Sequence, residues 1–203
     1  MAKKKATNVV YQKTAVSRED RAGLLRHRSF TLWFTGLPSS GKSTLAAATE
    51  RRLHERGCLT FTLDGDNVRH GLNGDLGFSP EDRQENVRRL AELASLFRDA
   101  GLITMTAFIS PYRRERSFAR SLAGADDFLE VFVDCPVEVC ERRDPKGLYR
   151  KAREGLIKEF TGVSAPYEKP DNPEIRLQTD RMSVDQCVTE IVDTVVSRGL
   201  LSG

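Results

Sequence analysis

The chain has 203 residues, 39% hydrophobic and 30% charged, with a formal net charge of +3. That length suits one domain with a substantial core and is cramped for two. No apolar run approaches the ~20 residues of a membrane helix, so no membrane span is expected, and the basic opening Met1-Ala2-Lys3-Lys4-Lys5 lacks the apolar segment of a secretory signal.

Residues 1–28 carry eight Lys/Arg against two acids, a local net of +6. Without interleaved aromatics or a basic helix face, this arm reads as solvated rather than as a nucleic-acid contact. The body is expected over 29–203. Its first apolar run, Phe30-Thr31-Leu32-Trp33-Phe34, leads into Gly36-Leu37-Pro38-Ser39-Ser40-Gly41-Lys42-Ser43-Thr44 and then into the helix-prone Leu45-Ala46-Ala47-Ala48-Thr49-Glu50. Strand, glycine-bounded loop and helix in that order are the pattern of a phosphate-binding P-loop. Gly36 and Gly41 let successive N–H groups converge on phosphate oxygens at a helix N-terminus. Lys42 supplies charge for the β- and γ-phosphates, and Ser43 is the expected hydroxyl ligand of Mg²⁺ bound with ATP.

The first helix is predicted to run to about Arg56 and to stop at Gly57. Leu59–Leu63 reads as the second strand and ends at Asp64-Gly65-Asp66-Asn67, where carboxylates face the crevice in which open α/β sheets bind ligands. A helix follows, capped by Ser79 with Pro80 in its first turn; Val87, Leu90, Ala91, Ala94 and Phe97 recur at helical spacing up to Gly101. Leu102–Ile109 and Phe128–Val133 read as buried strands flanking a charged helix through Arg113–Arg120, and Ile175–Gln178 as a last short strand. The final helix opens on a capping box, Ser183 to Gln186. The alternation predicts an α/β fold with a central parallel sheet flanked by helices.

Between Asp144 and Pro173 the periodicity fades for about thirty residues, long enough to expect a functional excursion, a lid that closes over reactants in a kinase. On the acceptor side, Arg69, Arg83 and Asn86 surround Phe78, with Phe160 in the expected lid. Guanidinium forks and flat rings suit a planar anionic acceptor, and a second nucleotide fits. Cys58, Cys135, Cys140 and Cys187 make no Cys-x-x-Cys pair, and His27, His54 and His70 are scattered. Reduced, buried thiols in a cytoplasmic protein are therefore expected, and no metal centre built on them.

Asp64-Gly65-Asp66-Asn67-Val68-Arg69, Leu76-Gly77-Phe78-Ser79, Arg83-Gln84-Glu85-Asn86, Ile109-Ser110-Pro111-Tyr112-Arg113, Arg143-Asp144-Pro145-Lys146-Gly147-Leu148-Tyr149 and Phe160-Thr161-Gly162, taken together and in this order, resemble adenylylsulfate kinases. The resemblance covers most of residues 8–198. It implies a P-loop kinase fold like that of nucleoside monophosphate kinases, a homodimer, and transfer of the γ-phosphate of ATP to the ribose 3′-hydroxyl of adenosine 5′-phosphosulfate. It also implies roles. Asp64 matches a carboxylate near the acceptor hydroxyl and the metal. Asp66, Asn67, Arg69, Phe78, Arg83, Asn86, Ile109, Ser110, Lys146, Leu148, Phe160 and Thr161 match positions around adenylylsulfate, with Phe78 and Phe160 sandwiching its adenine. Arg142 and Met182 match the neighbourhood of the ATP base. Ser110 matches a serine treated in the family as a phosphoserine intermediate, although direct transfer needs no covalent stop and its hydroxyl can equally bind the acceptor. Ser164-Ala165 departs from the acidic residues that many relatives carry there. A sugar or shikimate-like kinase would share Lys42 and Ser43 but has no use for the Phe78/Phe160 pair. A nucleotide switch or nucleic-acid-binding ATPase would hydrolyse ATP without an acceptor.

Overall fold

In the computed structural model, which describes residues 8–124 and 126–201, the charged run at Lys3–Lys5 lies outside the described residues. Five parallel strands form one sheet in the order β2-β3-β1-β4-β5: β1 (Thr31–Thr35), β2 (Thr60–Asp64), β3 (Ile103–Ala107), β4 (Phe128–Asp134) and β5 (Ile175–Gln178). Thr31 pairs with Thr104 on one side and Phe128 on the other, so β1 is central. Because side chains alternate along a strand, Leu32 and Phe34 enter one core while Trp33 enters another. The first core is closed by α2 (Lys42–Glu55) and α8 (Val184–Ser197). The second is closed by α4 (Pro80–Asp99) and α5 (Arg113–Ser121).

Helix ends fall where the side chains dictate. Ser79 and Ser183 accept from the backbone N–H three residues on, and Gln186 completes the box. Strands follow their neighbours instead. The run expected over Phe30–Phe34 pairs over Thr31–Thr35 and that expected over Leu59–Leu63 over Thr60–Asp64. Leu102–Ile109 is trimmed to Ile103–Ala107, since residues beyond the partner's reach have no ladder to join.

Four short helices escaped the sequence patterns. α1 (Arg18–Leu25) lies in the stretch expected as a solvated arm. Its Arg18 is bound to the body, donating to Ser29 Oγ at 2.8 Å and pairing with Asp127. α3 (Gly65–Val68) follows β2, with Asp64 as its cap. α6 (Val137–Arg143) and α7 (Leu148–Arg153) lead into and stand within the 144–173 stretch expected as a lid. A third small core joins this stretch to α6 and the end of β4, with Tyr149 and Phe160 packed with Cys135 and Cys140. All four cysteines are free and buried. Of the scattered histidines, His27 is buried and satisfied: its Nε2 accepts from Leu59 N at 2.9 Å and its Nδ1 meets Arg28 O at 3.0 Å. Among the described residues no helix is long and apolar enough to cross a membrane.

Candidate active site

The loop after β1 is wound as its glycines require. Gly36 has φ 155°, and a Cβ there would stand 2.5 Å from Val133 O, so a side chain at this position would push β1 and β4 apart. Gly41, at φ 108°, caps α2 from the left-handed region, leaving the helix's first amides free to bind an anion. Lys42 folds back beneath the loop, its Nζ donating to Gly36 O at 2.9 Å and Leu37 O at 2.7 Å. Burial pushes its pKa down to about 8, against smaller opposing effects of Cys140 and Asp64.

Ser43, one residue on, donates to Asp64 Oδ2 at 2.6 Å, and Asp64 Oδ1 accepts from Asp66 N at 3.0 Å. The first turn of α2 and the carboxyl end of β2 thus meet at a hydroxyl and a carboxylate. This pair of hard oxygen donors beside a phosphate cradle fits Mg²⁺, which keeps most of its waters and needs few protein ligands. Among the described residues no group of three or more His, Cys, Asp or Glu is placed to hold a metal ion.

Residues to which the sequence reading gave no role hold the loop in place. Tyr149 donates to Pro38 O at 3.1 Å from the lid. Thr179 Oγ1 donates to Ser40 O at 2.8 Å, and Arg143 reaches Ser40 O at 3.3 Å and Thr179 O at 2.5 Å. Arg142, matched to the base neighbourhood, is exposed, whereas its neighbour Arg143 contacts the loop. Met182 packs against the α2/α8 core at the start of α8.

On the acceptor side, Arg69 Nη1 donates to Leu76 O and Gly77 O at 2.9 Å, with its guanidinium 4.5 Å over the Phe78 ring. Arg83 Nε donates to Phe78 O at 2.9 Å, so two cations shape the turn that presents this ring, which is 69% exposed. Asn86 is buried, accepting from Asn73 Nδ2 at 2.9 Å. Across the crevice, Lys146 pairs with Asp66, joining the lid to the end of β2, and Asn67 is exposed beside it. Leu148, first residue of α7, is anchored by its N–H to Asp144 Oδ1 at 2.8 Å. Phe160 is buried edge-on against Tyr149, ring centroids 5.0 Å apart, so the two rings expected to sandwich a base are separate here, one free and one packed. A cleft of about 130 Å³ is lined by Arg83, Tyr112, Thr161 and Ser164. Thr161 Oγ1 is buried there without a partner.

Ser110 closes the far wall. It is 2% exposed, and its hydroxyl accepts from Trp33 Nε1 at 3.1 Å. A buried hydroxyl engaged in this way has no base to activate it, which weighs against the phosphoserine role. The preceding Ile109 offers its carbonyl to Thr35 Oγ1 at 2.7 Å.

A parallel sheet of this strand order, with an amide-lined loop after its central strand and a carboxylate at the end of the second, defines a P-loop kinase. Comparison with known proteins carries this further. The sequence model of the family described as adenylylsulphate kinase matches residues 28–178. A curated adenylyl-sulfate kinase of Clostridium acetobutylicum is 54% identical over 201 residues, covering 99% of this chain and 100% of its own. Among solved structures, the Mycobacterium tuberculosis APS kinase CysC in complex with AMPPNP and APS has a TM-score of 0.79 at 52% identity, covering 83% of this chain and 98% of its own. A hexameric APS kinase from Thiobacillus denitrificans has a TM-score of 0.66 at 33% identity, covering 86% of this chain and 30% of its own. The chain belongs to the adenylylsulphate kinase family.

Proposed function

We propose that this adenylyl-sulfate kinase moves the γ-phosphate of ATP directly, in line, to the ribose 3′-hydroxyl of adenosine 5′-phosphosulfate, giving 3′-phosphoadenosine 5′-phosphosulfate and ADP. The observation that carries the reading is the meeting of donor and acceptor elements at Ser43 and Asp64, 2.6 Å apart between the phosphate loop and the Arg69–Asn86 segment.

The loop amides from Leu37 to Thr44 hold the triphosphate, and Lys42 turns from its carbonyl partners to the β- and γ-oxygens. Ser43 and Asp64 would hold a Mg²⁺ ion, which when bound would supply charge neutralisation for the phosphates. Asp64 also accepts the proton of the attacking hydroxyl. Phosphoryl transfer depends mainly on positioning and charge neutralisation, so the remaining residues act by placing the acceptor. Arg69 and Arg83 bind the phosphosulfate, with Asp66, Asn67 and Asn86 fixing the polar edge. Phe78 and Phe160 take the adenine between them once the lid closes, with Ile109, Ser110, Leu148 and Thr161 as the walls. Lys146 leaves Asp66 for the anionic acceptor in the same movement. Arg142 and Met182 border the ATP base. The enzyme works as a homodimer, through a body at 29–203 with its lid at about 144–173, and in the cytoplasm, where its four free thiols stay reduced.

Purified protein with Mg·ATP and adenylyl sulfate should release ADP and the 3′-phosphorylated product in equal amounts. Asp64→Asn should lower kcat by at least about 10²-fold, with ATP affinity altered far less, since its carboxylate serves the chemical step. A fully active Asp64→Asn enzyme would remove that residue from the mechanism, and absence of product from the wild type would remove the reaction.

A further inference from the structure

Among the described residues, Ser110 is one of four non-glycine residues in the left-handed region, with φ 38°. Such a backbone persists only where its surroundings over-determine it. Here they do so from three directions. Trp33 holds the Ser110 hydroxyl, and Arg116, 3% exposed, donates to Ser110 O at 2.7 Å. Thr35, the residue immediately before the phosphate loop, donates to Ile109 O at 2.7 Å.

Thr35 Oγ1 also lies 2.9 Å from the Tyr167 hydroxyl. A threonine hydroxyl has a single proton, and the Ile109 carbonyl takes it, so Tyr167 is the donor in this second bond. The relay therefore runs from Tyr167 through Thr35 to Ile109 O. Tyr167 stands on the segment by which the lid returns to the body, and that segment is bonded to the acceptor wall along its length. Glu168 N donates to Pro111 O at 2.9 Å, Arg113 N donates to Glu168 Oε2 at 2.8 Å, and Arg116 Nη2 donates to Glu168 O at 2.6 Å while its Nε meets Glu130 at 2.6 Å.

We infer that Tyr167 and Arg116 are positioning residues for the acceptor: they lock the lid's return segment to the Ile109–Ser110 wall, so that grip on the acceptor depends on hydrogen bonds that no substrate touches. The inference rests on the acceptor site assigned above. The alternative is a purely structural seam, whose loss would weaken the fold and both ligands alike.

Tyr167→Phe separates the two. The ring keeps its stack on Phe132, centroids 6.0 Å apart and 18° between planes, and only the hydroxyl is lost. Calorimetric titration of wild type and variant, with adenylyl sulfate and separately with a non-hydrolysable ATP analogue, should show adenylyl sulfate bound roughly five- to tenfold more weakly and the analogue within about twofold. Arg116→Lys keeps the charge facing Glu130 but loses the fork, and should shift acceptor affinity further in the same direction. Equal losses for both ligands, or none for adenylyl sulfate, would overturn the coupling while leaving the acceptor site intact. Wild-type protein that binds the analogue but not adenylyl sulfate would overturn the acceptor site, and the coupling with it.

Discussion

Lys42 is a cation kept where a cation is costly. Buried under the loop and solvated only by two carbonyls, it has a pKa of about 8, well below that of a free lysine. The protonated form binds phosphate, and the bound phosphates raise the pKa, so affinity is full below the free-state value and declines as pH rises through it. Binding of a non-hydrolysable ATP analogue should accordingly be flat to about pH 7.5 and weaken by up to tenfold per unit above about pH 8. Lys42→Ala should abolish both this dependence and turnover; a pH-independent affinity from pH 7 to 9.5 would show that the ammonium stays charged throughout. The residue types of this site were legible because each is demanded by chemistry at short range: glycines for the curl, a lysine and a serine directly after it. Thr35, Tyr149, Arg143 and Thr179 were not. Tyr149, Arg143 and Thr179 hold the loop by bonds to its carbonyls and Thr35 holds the Ile109 carbonyl, and a carbonyl accepts from any donor that the fold brings near.

Among the elements, α5 carries an internal conflict. Glu115 is buried in its first turn, and one of its carboxylate oxygens, Oε2, has no partner. Burial pushes the pKa up to about 6, although the Tyr112 N–H, Arg114 and Arg116 all favour the charged form. An acid whose pKa is higher folded than unfolded costs no stability while protonated; the penalty appears as pH rises from about 4.5 through 6 and is complete above. Glu115→Gln keeps the cap and removes the charge. It should stabilise by about 1 kcal/mol at pH 8, read as a Tm gain of roughly 2–4 °C that vanishes near pH 4.5. A gain of the same size at both pH values would assign it to packing instead. Elements with a chemical boundary marker, such as α4 with Ser79-Pro80 and α8 with Ser183 and Gln186, were readable to the residue. α6 and α7 have no side-chain cap: one starts after Pro136 and the other after a left-handed Gly147, and the lid core against which they pack is assembled from segments distant in sequence.

At the scale of the whole molecule, the 144–173 stretch is docked by Tyr149 on the phosphate loop, by Lys146 on Asp66, and by Tyr167 on β1. The homodimer should be visible as a sedimenting species of twice the chain's mass at micromolar concentration, and a species of single-chain mass there would remove it. What the sequence determined by itself was the alternation of strands and helices and the phosphate loop, because periodicity, caps and glycine-bounded turns are interactions between near neighbours along the chain. Only the tertiary structure decided that Asp64 faces Ser43, that Phe160 is buried on Tyr149 while Phe78 stands exposed beside Arg69, and that Ser110 is pinned from three sides. Those relations depend on which strands lie side by side and where a long excursion returns, and such contacts form between residues tens of positions apart that no local pattern encodes.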